Sequence, residues 1–309
     1  MKSSSWRKML SEYLSMRRGL GFKLKSDGIG LSAFVSFLEK NEVEYITARI
    51  AADWCLSGSA QQITKARRLC YVRGFAQYLK ATDPRTEIPS QDLIRCRRKR
   101  AHPYLYTDEE IQKLMVAALE LDSFNGLRGL TYHYLFGLLT VTGMRISEAI
   151  NLRTDDVDLE EGILTVHGAK FGKSRLVPLH ATTCDALRNY KLARDQIVEG
   201  KLEVTSFFVS SRFTPLHHRV VLKTFDSLCR EVGLRGPKQE RVPRIHDFRH
   251  RMAVQSLLQW YRNGDDPERR LPALATYLGH VHVADTYWYL TACTELMEEA
   301  VTRLERRGR

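Results

Sequence analysis

Arg145 and Glu148 stand three apart in Thr142-Gly-Met-Arg-Ile-Ser-Glu148, where one predicted helix ends and another begins, and Gly143 permits the turn between them. On one helical face, a carboxylate so placed can orient a guanidinium that must grip a phosphate through two bonds. Taken alone, the pair also describes an ordinary surface ion pair. Lys170 and Lys173 fall at the tip of a predicted hairpin, Lys170-Phe-Gly-Lys173. A lysine there can reach into a groove or give a proton to a departing oxygen, although turn lysines are common. His246 and Arg249 lie at i and i+3 in His246-Asp-Phe-Arg-His250, which opens an amphipathic helix. A helix N-terminus favours an anion. Finally, His280 in Leu278-Gly-His280 precedes Tyr289 of Asp285-Thr-Tyr-Trp-Tyr-Leu290. In one unbroken helix the two would be ~13 Å apart. They share a site only if the chain bends between them, and otherwise read as a buried histidine and an aromatic helix stripe.

A metal site competes for the histidines. His246 and His250 have H-x-x-x-H spacing, and His280 and His282 could add ligands. The zinc-protease pattern needs Glu directly after the first His, however, and Asp247 stands there. The six cysteines (Cys55, Cys70, Cys96, Cys184, Cys229, Cys293) are scattered without a CxxC pair, which argues against a zinc ribbon and against a disulfide-stapled secreted domain. The sequence predicts neither metal nor cofactor.

The elements that must position these residues fall into two blocks within 309 residues. Residues 1–98 read as a helical unit. Leu31, Phe34, Val35 and Leu38 mark an amphipathic helix over Ile29–Lys40, Thr47 caps a helix running to Gly58, and a third spans about Gln61–Leu79. That third helix carries Lys65, Arg67, Arg68 and Arg73 beside an apolar face, as expected of a helix that packs inward and meets phosphates outward. Pro84 and Pro89 break the periodicity ahead of a cationic run, Arg97-Arg-Lys-Arg100 (Arg97, Arg98, Lys99, Arg100), which reads as a basic linker. The second block, 103–309, opens on a capping box, Thr107 to Glu110, followed by an apolar stripe. Short β runs follow at Ile163–His167, Ser174–Pro178 and Phe207–Ser210, the first two forming a hairpin on which Lys173 and Arg175 are expected DNA contacts. The remainder is helical, including Ala292–Glu305 with Leu296, Ala300 and Leu304 on one stripe.

Composition supports an anionic partner. Lys plus Arg number 48 against 36 Asp plus Glu, for a formal charge of +12. No apolar stretch approaches the ~20 residues that span a bilayer, and Met1-Lys-Ser-Ser-Ser-Trp6 lacks an apolar signal core. DNA rather than lipid is therefore the expected polyanion, and a bacterial-type, nucleoid-associated cytoplasm the expected location.

Together the four local patterns resemble the catalytic domain of the tyrosine recombinases, the phage-type integrase family, in order, spacing and residue type. The likeness rests on T-G-M-R-I-S-E, K-x-x-K-x-R-L-V-P-L, H-D-F-R-H, L-G-H and the final tyrosine, and spans roughly Thr107 to Arg309. The helical block is similar to the family's core-binding, SAM-like domain. The resemblance implies a mainly α fold with a small β component (α+β), closed around DNA as a C-shaped clamp. It implies that Arg145 and Arg249 clamp the scissile phosphate, Glu148 supports Arg145, and Lys170 protonates the leaving 5′ oxygen. His246 and His280 would hydrogen-bond the phosphate and assist proton transfer, and Tyr289 would attack phosphorus to give a 3′-phosphotyrosyl link. Tyr287 is a neighbouring alternative, but spacing from His280 favours Tyr289. It further implies a homotetramer on two duplexes at a specific crossover site, without metal or ATP. The Thr-Tyr-Trp-Tyr-Leu ending resembles integrases carried on mobile elements.

The physics agrees with those roles. A tyrosine of pKa ~10 needs a base or a positive field to attack at neutral pH. The phosphorane gathers negative charge that guanidiniums and imidazoles can stabilise. Relative to the family pattern, Asn263-Gly-Asp-Asp-Pro-Glu-Arg-Arg270 reads as a loop insertion. Two rivals remain: a type IB topoisomerase-like enzyme, which relaxes DNA without joining two sites, and a DNA-binding regulator that does not cut.

Overall fold

The computed structural model describes residues 3–96, 102–167, 174–198, 204–236, 241–291, 295–299 and 301. The chain divides into two compact units, Met1–Ala101 and His102–Arg309.

Among the described residues the first unit has four α-helices, α1 (Ser3–Gly19), α2 (Lys25–Lys40), α3 (Ala48–Leu56) and α4 (Gln62–Leu79). Each contributes buried apolar residues at helical spacing: Trp6, Leu10, Tyr13 and Leu14 from α1, Leu31, Phe34, Val35 and Leu38 from α2, Ala51, Trp54 and Cys55 from α3, and Leu69, Val72 and Phe75 from α4. The α3 N-terminus is capped as its sequence implied, with the Thr47 hydroxyl accepting from the Ile50 amide at 3.2 Å. Helix α2 starts four residues earlier than the apolar pattern indicates, because its first turn is polar and exposed at Lys25 and Ser26.

The second unit begins at α5 (Asp108–Leu119), where Thr107 and Glu110 exchange both bonds of a capping box. Helix α6 (Leu127–Thr142) lies against α5, α8 (Ala181–Val198) and α10 (His246–Arg262) and is buried along most of its length. The one-turn helix α7 (Ile146–Ala149) follows it. A three-stranded antiparallel sheet has the order β1 (Val157–Asp158), β2 (Ile163–Val166), β3 (Arg175–Pro178), with Val166 opposite Arg175. Helix α9 (His218–Glu231) supports the core, and α11 (Pro267–Leu278) and α12 (Ala284–Tyr287) complete the unit. Residues 295–299 are also helical, with Leu296 buried beside Tyr289 in the cluster that unites α10 and α11.

Two expectations are corrected. Phe207–Ser210 is not a sheet strand. It forms a single bridge, Val209 to Pro215, beside another at Arg153 and Ser206, while Phe207, Phe208 and Val209 are wholly buried. An apolar run signals burial whether or not its backbone pairs. The segment 263–270 is a loop only through Asp266. That residue caps α11 through the Glu268 amide and Pro267 occupies the first turn, so a helix starts inside the expected insertion.

Candidate active site

Gly143 ends α6 at φ +61°, a left-handed turn that delivers Arg145 to the start of α7. Gly279 does the same for α11 at φ +68°. There the Gly279 amide donates to Thr276 O and the His280 amide to Ala275 O, each at 2.9 Å, a Schellman closure. This closure leaves the next three carbonyls without main-chain partners, and three arginines take them in sequence. Arg175 Nε donates to Tyr277 O at 2.9 Å, Arg249 Nη2 to Leu278 O at 2.6 Å, and Arg145 Nη2 to Gly279 O at 3.1 Å. A helix C-terminus carries partial negative charge, so the α11 end attracts the guanidiniums from three separate elements.

Glu148 completes the arrangement. Its Oε1 accepts from Arg145 Nη1 at 2.8 Å and Arg175 Nη1 at 3.0 Å, and its Oε2 accepts from Arg175 Nη2 at 2.7 Å and the Arg145 amide at 2.9 Å. Burial alone would raise the carboxyl's pKa, but the bonds from Arg175 and Arg145 outweigh it and hold Glu148 at about 2. Arg249 is 2 % exposed and also donates to Gly143 O at 2.9 Å, bridging the ends of α6 and α11. Desolvation lowers its pKa to about 10, still far above neutrality.

Tyr289 lies in a short 3₁₀ turn, Trp288–Thr291, after α12, and is 2 % exposed. The bend needed to join it to His280 is present: their rings stack at 6.0 Å between centroids. Desolvation raises the Tyr289 pKa, opposed by the nearby Arg249 and its hydrogen bond and by Arg145. His280 is half-buried, its Nδ1 2.7 Å from the hydroxyl of Thr286, which is wholly buried. Desolvation, then Arg249 and Arg145, lower the His280 pKa to about 4. His246 reaches solvent, yet crowding by protein and then Arg249 lower its pKa as well. At neutral pH the site thus holds a protonated tyrosine, two charged guanidiniums and neutral imidazoles able to accept a proton.

His250 packs edge-on to His246 (4.8 Å) and against Tyr289 (5.5 Å) and Trp288 (5.0 Å). Desolvation, reinforced by His246, lowers its pKa to about 3. Among the described residues no group of three His, Cys, Asp or Glu side chains is placed to hold a metal ion. Tyr287, the alternative nucleophile, is 48 % exposed.

Residues 105–295 match the phage integrase family. Over 308 residues the chain is 50 % identical to a Sinorhizobium fredii protein named as an integrase/recombinase, y4rB, covering 98 % of each. It belongs to the phage integrase family, the tyrosine recombinases. The tyrosine recombinase XerC of Thermodesulfovibrio yellowstonii is 30 % identical over 269 residues, 84 % of this chain and 82 % of the relative. In fold, the chain is similar to the Tn1549 transposon integrase in complex with transposon right end DNA (TM-score 0.67, 15 % identity, 97 % and 99 % covered). It is also similar to XerH bound to palindromic difH (TM-score 0.66, 20 % identity, 90 % and 78 % covered). The mainly helical fold with one small sheet is the fold of this family.

Of the residues singled out from the sequence, this family member gathers Arg145, Glu148, His246, Arg249, His280 and Tyr289 in the second unit. Lys170 and Lys173 lie outside the described residues, as do Arg97, Arg98, Lys99 and Arg100. Arg175, an expected DNA contact, is turned inward: its side chain is 10 % exposed and all three nitrogens are bonded within the protein. On α4, Arg67 is exposed and bonds Ser26, Lys65 is half-buried, and Arg68 and Arg73 donate to Ser57 O and Pro89 O. Arg67 and Arg73, with Arg17, Arg95, Tyr71 and Tyr78, line an open groove of about 1110 Å³ in the first unit. Sequence reading missed Thr286, whose signal was only a hydroxyl six residues after His280, and Arg244. Arg244 pairs at 3.0 Å with the fully buried Asp247, the same i,i+3 spacing as Arg145 and Glu148, and its side chain stays 51 % exposed, close enough to His246 to act on its charge.

Proposed function

We propose that this chain is a site-specific recombinase that cuts and rejoins duplex DNA through a 3′-phosphotyrosyl intermediate formed on Tyr289. The observation that carries the reading is the juxtaposition of a protonated Tyr289 with Arg249, Arg145 and the neutral ring of His280. The scissile phosphate enters among Arg145, Arg249 and His246, taking up guanidinium hydrogens that main-chain carbonyls leave free. Tyr289 gives its proton toward the imidazoles and its Oη bonds phosphorus as the P–O5′ bond breaks. Lys170 supplies a proton to the leaving 5′ oxygen. The fixed positive charges meet the negative charge that builds on the phosphorane, so no metal or nucleotide is called on. The ester retains the bond energy, and attack by a 5′ hydroxyl reverses the step on the same or an exchanged strand.

Because Tyr289 is 2 % exposed and packed in one cluster with residues of α10 and α11, attack requires the 284–291 segment to open toward the phosphate. DNA backbone follows the basic groove of the first unit, and a homotetramer on two duplexes exchanges strands. The test is covalent trapping: express wild type and Tyr289→Phe beside the DNA that flanks the gene, denature, and sequence DNA still attached to protein. The expected result is an adduct at a unique site in wild type, absent in Tyr289→Phe. An adduct that persists in the variant moves the nucleophile to Tyr287, and tight binding without any adduct refutes cutting.

A further inference from the structure

We infer that Arg175 is a positioning residue of the active site and not a DNA contact: through Glu148 and the end of α11 it fixes where Arg145 and His280 stand. The inference rests on the recombinase reading of the site. Every nitrogen of Arg175 is engaged, two in a fork on Glu148 and Nε on Tyr277 O. Glu148 in turn is saturated by four donors, two from Arg175 and two from Arg145. A planar fork on a carboxylate fixes orientation as well as distance, which a lysine's point charge would not.

The contact is built into the backbone around it. A Cβ on Gly279 would stand 2.9 Å from Arg175 Nη1 and 3.1 Å from its Cζ, so the glycine of Leu278-Gly-His280 makes room for this guanidinium. The same residue's carbonyl receives Arg145, and the next residue is His280. Arg175 opens β3, so this one side chain ties the hairpin strand to α7 and α11, whose ends are flanked by Arg145 and His280. Arg249 spends its bonds on main-chain carbonyls, whereas Arg175 commits both ends of its fork to a carboxylate. That carboxylate is itself nearly buried, with 7 % of its side chain exposed.

The test compares wild type, Arg175→Ala, Arg175→Lys, Glu148→Gln and the Arg175→Ala/Glu148→Gln double variant as full chains. DNA affinity is measured against salt on a duplex carrying the trapped site, or on generic duplex if no adduct forms. Adduct rate is measured at saturating DNA, and thermal melting checks folding. The expected result is an unchanged salt slope in both Arg175 variants and an adduct rate lower by ~10- to 100-fold in Arg175→Ala. Arg175→Lys keeps charge and most of the volume, which guards against simple unfolding, and it should fail to restore the rate. The double variant should be no slower than its worse single variant, because both act through one carboxylate. Arg175→Ala should also gain an acid limb that the double variant lacks. With only Arg145 and the more distant Arg249 facing it, the nearly buried Glu148 then protonates at a higher pH. A salt slope reduced by about one with the saturating rate unchanged would make Arg175 a phosphate contact and overturn the inference. If wild type forms no adduct, the recombinase reading fails by itself, and the salt slope still decides whether Arg175 touches DNA.

Discussion

Gly279→Ala should slow DNA cleavage far more than it unfolds the protein. Two costs are separable. The first is conformational: Gly279 sits at φ +68°, where an L side chain costs about 1–2 kcal/mol. The second is crowding, because the new methyl would meet Arg175 at 2.9, 3.1 and 3.2 Å and the guanidinium must move off Glu148 and Tyr277 O. Losing a charge-assisted bond of this kind is worth about 1.5–3 kcal/mol. If that loss reaches Arg145 through Glu148, each 1.4 kcal/mol lowers the rate about tenfold, giving ~10- to 100-fold slower adduct formation. Gly264→Ala is the control. Gly264 stands at φ +76° with nothing within 4 Å of its Cβ position, so it carries the first cost without the second. At ~2–4 °C per kcal/mol for a unit of this size, strain alone should lower both melting midpoints by a few degrees. Only Gly279→Ala should lose rate at saturating DNA. Equal rates in the two variants would refute the crowding argument, whatever their melting points.

Other outcomes follow from the same geometry. Glu148→Gln leaves Arg145 and Arg175 without their shared anion and should cut the adduct rate by ~100-fold with DNA binding nearly intact; a loss under threefold would count against it. Thr286→Val keeps the volume but removes the hydroxyl on His280 Nδ1, and should slow adduct formation several-fold while leaving the salt slope unchanged. Acid should destabilise the second unit in a defined window. His280 and His250 titrate at about 4 and about 3 when folded but near 6.5 when unfolded, so the unfolded chain binds protons first as pH falls. Stability should therefore decline from about pH 6.5 downward to about pH 3, and His250→Leu should shallow that decline in denaturant titrations. An unchanged slope in His250→Leu would show that this ring is not buried neutral.

The sequence by itself determined a good deal. Chemically committed residues in fixed local frames were readable without coordinates: Arg145 and Glu148 three apart behind a turn glycine, His246 and Arg249 on one face at a helix start, and the Thr107 capping box. Local frames are legible because helical periodicity and capping depend on neighbours within one turn. Tertiary structure decided what no spacing encodes. Whether 280 and 289 meet depended on the break between α11 and α12, and the structure brings their rings to 6.0 Å. Phe207–Val209 looked like a strand because burial and pairing leave the same apolar mark, and only packing told them apart. Arg175 looked like a DNA contact because a cation in a basic chain carries no sign of which anion it meets. The fold gave it Glu148, 27 residues away in sequence, and the carbonyl of Tyr277, 102 residues away, once the end of α11 was brought beside β3.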